Sequence, residues 1–183
     1  MQAYSDEPLR RNSLHLSAPH IYGVALEHLD LPPSKPLSFL NVGSGTGYIS
    51  TIVGSILGPQ SLSHGIEIDA ANVEFSRAAI ANFAQLNPSL IPEITIVQGN
   101  ALHLPAHLTL NLCYDRIYLG AAITLVDLPK IARLLAVGGI LVGPVDDELR
   151  KITRVWSAEE VSGQASAHED IRVLFILSAV TPR

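Results

Sequence analysis

Short apolar runs alternate along the chain with longer stretches whose apolar residues recur every three or four positions. Leu37, Phe39, Leu40 and Val42 form a nearly continuous run, as expected of a parallel strand buried on both faces. Ile49, Ile52, Val53, Ile56 and Leu57 follow at helical spacing and stop at Gly58-Pro59. Residues 63–68 predict a second strand. Asp69 is placed to cap a helix over 70–86, with Val73, Phe75, Ala79, Ile80 and Phe83 toward the core, and Asn87-Pro88 breaks it. Residues 94–97 and 114–119 predict further strands, and 101–112, with Pro105 inside, hold no long helix. A helix is expected over 125–135, a turn at Gly138-Gly139 and a fifth strand over 140–142. Residues 152–156 and 171–180 predict two more strands joined by an exposed polar loop, 157–170. Upstream, 1–14 read as an extended arm. Ser17 is placed to cap a helix that Pro19 opens and that Pro32-Pro33 and Pro36 close, with Ile21, Val24, Ala25, Leu26 and Leu29 as its apolar stripe. Strands alternating with helices predict an α/β fold with a doubly wound, Rossmann-like parallel sheet. One domain is expected over 1–183, made of an arm and helix (1–36), a core (37–145) and C-terminal strands (146–183).

The first strand runs straight into Gly43-Ser44-Gly45-Thr46-Gly47-Tyr48 and then a helix. Glycines there open backbone angles closed to other residues and let the main chain approach a ligand. A dinucleotide fingerprint places its third glycine where Tyr48 stands, so the spacing fits S-adenosyl-L-methionine better. Glu67 ends the next strand about 20 residues on, where a carboxylate can accept hydrogen bonds from both ribose hydroxyls. Ligands of such sheets sit beyond the carboxyl ends of the strands, so Gly43 to Gly47, Glu67, Asn100 and Gly120 to Ala122 are expected to converge.

With 183 residues, 48% of them hydrophobic, the chain is long enough for one proper core. Its net charge of −5 and the lack of any basic run beyond Arg10-Arg11 argue against nucleic acid as a partner. No apolar run reaches membrane-spanning length, and the first residues lack the pattern of a signal peptide, so no membrane contact and a cytoplasmic location are expected. Cys113 stands alone and reads as a core thiol, which suits a reducing compartment. His103 and His107 are four apart, but Pro105 lies between them and no third ligand is evident, so no metal is expected. Tyr118 and Trp156 read as packing residues.

Five segments together resemble the protein-L-isoaspartate O-methyltransferase family: Ser17-Ala18-Pro19-His20, Asn41 to Tyr48, Gly65-Ile66-Glu67, Tyr114-Asp115-Arg116-Ile117 and Gly138-Gly139. The resemblance covers about Tyr4 to Val145, and the Ser-Ala-Pro-His segment is its most particular part. It implies methyl transfer from S-adenosyl-L-methionine to the carboxylate of isoaspartyl-containing proteins or peptides, the first step of their repair. By the same resemblance Ser17 matches the active-site serine and, with His20, faces the substrate. Leu14, His15, Leu16 and Tyr22 match positions bordering the cofactor. Gly43, Ser44, Gly45 and Gly47 would pass beneath methionine and ribose, Glu67 and Ile68 would lie at the ribose, and Asn100 and Ala101 beside adenine.

Some segments depart from the repair enzymes. His15-Leu16 stands where they usually have Thr-Ile, and Arg11-Asn12-Ser13 replaces a glycine-containing approach. Asp6-Glu7-Pro8 lies almost at Met1, so a helical lid that family members carry before it is expected to be missing. Asp146-Asp147-Glu148 reads as a solvated helix start whose charges would repel an acidic substrate. His15 to Pro19, Ile56 to Pro59 and His64 to Glu67 look closest to the methyltransferase-domain-containing branch of the family, whose members keep the cofactor site and act as adaptors. The alternative is therefore an S-adenosylmethionine-binding interaction module with a protein partner and no repair activity.

Overall fold

A computed structural model describes residues 5–104, 113–155 and 174–179. A small hairpin, β1 (Leu9–Arg11) and β2 (Leu14–Leu16), precedes helix α1 (Pro19–Leu29). The core then runs β3 (Ser38–Val42), α2 (Tyr48–Leu57), β4 (Leu62–Glu67), α3 (Ala70–Leu86) and β5 (Ile94–Gln98). It continues with β6 (Tyr114–Leu119), α4 (Leu128–Ala132), β7 (Leu135–Val145), β8 (Glu148–Val155) and β9 (Leu174–Ala179).

The main sheet has seven strands in the order β5-β4-β3-β6-β7-β8-β9. Those from β5 to β7 are mutually parallel, while β8 and β9 each run antiparallel to the strand before. The chain winds outward from β3 to β5 and then returns to the other side of β3 as β6. Beyond the ends of β3 and β6 the connections diverge, and a crevice opens there.

Side chains of β3 alternate between two packed faces. Phe39 meets Ala25 and Leu29 of α1 and Val53 and Leu57 of α2. Leu40 and Val42 join Ile117, Leu119, Leu141 and, from α4, Ile131 and Ala132. A third cluster seats Val73 and Ile80 of α3 on Ile91 and Ile96. Asp69 caps α3, its Oδ1 accepting the N–H of Ala71 at 2.8 Å and of Asn72 at 3.2 Å.

Several expectations are corrected. The arm folds back as the β1–β2 hairpin, with Leu9 opposite Leu16 and Asn12 at φ 55° in the turn. The cap position of α1 is Ala18, with no side-chain hydrogen bond to it, so Ser17 is not the cap. In α3 Phe75 and Ala79 are exposed, and Asn72 and Ser76 take inward positions instead. The helix expected over 125–135 shrinks to 128–132, because β7 begins at Leu135 and runs through Gly138 and Gly139, with a register shift opposite Tyr114 and Arg116. Asp146 and Asp147 are no helix start: at φ 47° and 63° they form the tight turn of the β7–β8 hairpin. Cys113 is exposed rather than buried. His107, Trp156 and the loop 157–170 lie outside the described residues. Among the described residues, no helix is long and apolar enough to cross a membrane.

Two polar latches fix the site's scaffold at its far end. Asp115 Oδ2 accepts from the backbone N–H and the hydroxyl of Ser38, at 2.8 and 2.7 Å, and so joins the starts of β3 and β6. Arg116 donates through Nε and Nη2 to the carbonyl of Asp30, at 3.2 and 2.9 Å, closing the C-terminus of α1 on the sheet. The Arg116 side chain is 12% exposed. Arg116→Met keeps the stem but removes both bonds to an exposed helix-end carbonyl, and it should cost about 0.5–1.5 kcal/mol, read as a lower urea midpoint at unchanged slope.

His64 Nδ1 lies 2.7 Å from the Tyr114 hydroxyl, and burial holds the imidazole below its ordinary pKa of 6.5. As pH falls through 6.5 the unfolded chain takes up this proton before the folded one does. Stability should therefore fall below about pH 6.5, and His64→Gln should flatten that part of a pH–stability curve measured by urea denaturation.

Candidate active site

The glycine loop is pinned from both sides. The N–H groups of Gly43 and Ser44 donate to Ile66 O at 2.8 and 3.0 Å, and Gly120 N–H donates to Val42 O at 2.7 Å. Gly43, Gly45 and Gly47 have φ of 74, 52 and 76°, a region that disfavours side chains. At two of them space forbids a side chain as well: a Cβ on Gly43 would stand 2.8 Å from Ala121 Cβ, and one on Gly47 2.8 Å from Ile80 Cδ1.

Glu67, 7% exposed, reaches this loop from the end of β4. Its Oε2 accepts the Gly45 N–H at 2.8 Å and its Oε1 the Asp69 N–H at 3.0 Å. Each carboxylate oxygen can accept a second hydrogen bond, so a vicinal diol could still dock there. Beyond β5, Asn100 Oδ1 accepts the Leu102 N–H at 2.9 Å and caps a single 3-10 turn, Ala101–His103, with Ala101 buried beneath it.

These ends enclose a cavity of about 320 Å³, within the range of small-molecule sites. The loop supplies Gly43, Ser44, Gly45 and Thr46 to its wall, β4 and its end Glu67 and Ile68, and the segment after β5 Asn100, Ala101 and Leu102. Gly120, Ala121, Ala122 and Ile123 close the side beyond β6, and the N-terminal segment contributes Ser13, His15, Ser17 and Tyr22. The Ser17 N–H donates to the Tyr22 hydroxyl at 3.0 Å, and among the described residues the Ser17 hydroxyl has no hydrogen-bond partner.

Four expected residues lie off this cavity. Leu14 pairs with Arg11 in the hairpin, and Leu16 lines a separate apolar groove between α2 and α3. Gly47 shapes the loop from behind, against Ile80. His20 is turned to Asp6, whose Oδ1 accepts its backbone N–H at 3.0 Å and whose Oδ2 lies 2.8 Å from its Nδ1; these bonds hold the Asp6 carboxyl below its ordinary pKa. Asp146 is also engaged, its Oδ1 accepting the Leu125 N–H at 3.2 Å.

Sequence reasoning missed Ser13 and Asn72, which meet across 59 positions when Ser13 Oγ donates to Asn72 Oδ1 at 2.9 Å. No local pattern announces such a pair. It also missed the lining role of Tyr118, which the apolar run around it disguised as packing.

The cavity's chemistry fits a zwitterionic nucleoside ligand. Asn41 Oδ1 and Ser44 Oγ are buried on its wall without a hydrogen-bond partner, and an ammonium or N–H donor would satisfy them. Glu67 offers acceptors to a diol, and the glycine loop exposes main chain in place of side chains.

Residues 1–180 match the family model described as protein-L-isoaspartate(D-aspartate) O-methyltransferase. The chain belongs to this family. A protein-L-isoaspartate O-methyltransferase of Methanococcus maripaludis is 30% identical over 176 residues, 95% of this chain and 76% of its own length. Those of Methanothermobacter thermautotrophicus and Aeropyrum pernix are 29 and 28% identical, over 80 and 95% of this chain, and the chain spans 63% of the length of each. Among solved structures, a protein-L-isoaspartate O-methyltransferase from Plasmodium falciparum in complex with S-adenosyl-L-homocysteine superposes with a TM-score of 0.72. It is 22% identical, covering 98% of this chain and 79% of that one. A precorrin-6y C5,15-methyltransferase from Geobacter metallireducens gives 0.55 at 17% identity, over 87 and 73% of the two chains. These structural likenesses speak to the fold, that of a Rossmann-like methyltransferase.

In this member of the protein-L-isoaspartate O-methyltransferase family the loop depends on Glu67. Glu67→Ala leaves two backbone donors without their acceptor and should cost about 1–3 kcal/mol. Amide hydrogen exchange at Gly45 should speed up by more than at Ile117, deep in β6; equal protection in the two proteins would refute the latch.

Proposed function

We propose that this chain transfers a methyl group from S-adenosyl-L-methionine to the carboxylate of isoaspartyl residues in proteins or peptides. The observation that carries the reading is the convergence, on one cavity, of the glycine loop, the Glu67 carboxylate and Ser17 in a chain of this family. In the assignment we favour, Glu67 accepts the ribose hydroxyls, Asn100 and Ala101 border adenine, and the Gly43 to Gly45 main chain lies under the methionine part. Asn41 and Ser44 offer their unpartnered oxygens to the ammonium group. The cofactor supplies an electrophilic methyl group whose bond to sulfur breaks, with the electron pair staying on sulfur, as the bond to carboxylate oxygen forms.

The acceptor asks for no general base. A free carboxylate has an ordinary pKa near ~4 and is already an anion at neutral pH. What the protein must supply is alignment of oxygen, carbon and sulfur, and positioning of this kind can lower a barrier by about 7–11 kcal/mol. Ser17 has the hydroxyl for that task, since it lines the cavity and no described group engages it. Its backbone, held to Tyr22, sets where that hydroxyl can point.

The direct test is transfer of a labelled methyl group to an isoaspartyl peptide, with the aspartyl peptide as control. Selective labelling is expected. Cofactor binding without labelling would favour the adaptor-like interaction module instead. Ser17→Ala should lower kcat by about 10-fold or more, the weight of one or more hydrogen bonds to a charged group, with the calorimetric Kd for S-adenosyl-L-methionine within about twofold. An unchanged kcat would remove Ser17 from the mechanism.

A further inference from the structure

Three tyrosines from three separate elements meet on one wall of the cavity: Tyr22 of α1, Tyr48 at the start of α2 and Tyr118 of β6. Tyr22 is the middle ring. Its centroid lies 5.5 Å from that of Tyr48 and 6.5 Å from that of Tyr118, with interplanar angles of 58 and 53°. Tyr118 is 4% exposed and Tyr48 49%, so the wall runs from the core out to the rim. The bond from Ser17 N–H to the Tyr22 hydroxyl sets this wall beside the segment that carries Ser17.

Strand order decides which part of the cofactor the wall meets. Asn100 follows β5, Glu67 ends β4, the glycine loop follows β3 and Tyr118 belongs to β6, and these four strands are neighbours in that order. Adjacent strands lie about 4.8 Å apart, so the span from β5 to β6 is about 14 Å. With adenine at Asn100 and the ribose at Glu67, the sulfur lies over β3 and β6. This step rests on the methyl-transfer reading above.

We propose that Tyr22, Tyr48 and Tyr118 form an aromatic wall that recognises the sulfonium charge of S-adenosyl-L-methionine and so discriminates it from S-adenosyl-L-homocysteine. A ring face attracts a cation within about 6 Å of its centroid, and a sulfonium offers no N–H or O–H to a conventional acceptor. The Glu67 carboxylate lies at the ribose end, committed to the N–H groups of Gly45 and Asp69. Burial raises the pKa of Tyr118, so its phenol stays neutral and adds a ring rather than an anion. Once the methyl group has left, the sulfur is a neutral thioether. The wall then loses its charge attraction for the product, which favours release.

The test compares calorimetric Kd values for S-adenosyl-L-methionine and S-adenosyl-L-homocysteine in the wild type and in Tyr22→Phe, Tyr22→Leu, Tyr48→Phe and Tyr48→Leu, with thermal unfolding as the check of fold. Tyr48 is half exposed, so its variants test the wall without opening the core. Relative to the matching phenylalanine variant, each leucine variant should weaken the sulfonium ligand about five- to tenfold and the thioether ligand by less than about twofold; Tyr48→Phe should leave both unchanged, and Tyr22→Phe, which also loses the acceptor of the Ser17 N–H, should change both alike. Equal losses for the two ligands from phenylalanine to leucine would assign the rings to packing, and equal losses in the phenylalanine and leucine variants would assign the effect to the hydroxyls; either overturns the proposal. Binding of neither ligand by the wild type would overturn the methyl-transfer reading itself, and this inference with it.

Discussion

The structure of the site depends on one buried carboxylate. A loop whose Gly43, Gly45 and Gly47 all take positive φ loses much conformational entropy on folding. Glu67 offsets that cost by accepting from Gly45 on one oxygen and from Asp69 on the other. The second bond matters as much as the first, because Asp69 caps α3 and so ties the loop to a helix of 17 residues. Loop, strand end and helix start become one unit. A carboxylate this buried needs such partners, since burying an unpaired charge is prohibitive. The constraint therefore runs both ways: the loop holds the acid in place as the acid holds the loop.

From that unit the crevice follows by topology. Parallel strands leave their carboxyl ends open wherever successive connections go to opposite sides, here between β3 and β6. Small residues keep the crevice clear: the chain after β6 turns through Gly120, Ala121 and Ala122, and the loop after β3 passes so close that Gly43 has no room for a Cβ beside Ala121. The polar latches of Ser38 with Asp115 and of Arg116 with Asp30 sit at the opposite ends of these same strands. Rigidity is placed at one end of the sheet and access at the other.

How much of this was legible depended on the range of each interaction. Phe39, Leu40 and Val42 announced their strand because burial on both faces demands an unbroken apolar run, and Asp69 announced its helix because capping is local. Glu67 was found because its spacing from the glycines reflects one strand–helix–strand unit. Features set by distant partners were not legible. The arm became a hairpin whose tip, Ser13, bonds Asn72 on α3. The helix expected over 125–135 keeps only Leu128–Ala132, because its first residues turn back on the Thr124 carbonyl and Leu135 pairs with Tyr114 as the start of β7. Asp146-Asp147 resembled a helix start because acidic residues suit one, yet both adopt the left-handed angles of a two-residue hairpin turn. Leu14, Leu16 and His20 are near the right segment, but strand alternation turns both leucines away from the cavity and Asp6 occupies His20.

The polar side chains buried on the cavity wall have a physical meaning of their own. Asn41, Ser44 and Asn72 are polar side chains held almost wholly out of water, which hydrophobic patterning reads as surface positions. A core without a ligand would replace Asn41 and Ser44, because an unpartnered buried acceptor costs about 1–3 kcal/mol. Local rules tend to fail where function sets the residue, and Asn72, which the apolar stripe of α3 passed over, lines this cavity. A ligand that supplies donors to Asn41 Oδ1 and Ser44 Oγ completes the hydrogen bonding that the chain leaves open. Binding of that kind feeds back on the fold, adding about 2.7 kcal/mol of stability at a hundred times the ligand's Kd. The polar wall thus trades stability of the empty protein for affinity, and the loop that Glu67 holds is where that exchange takes place.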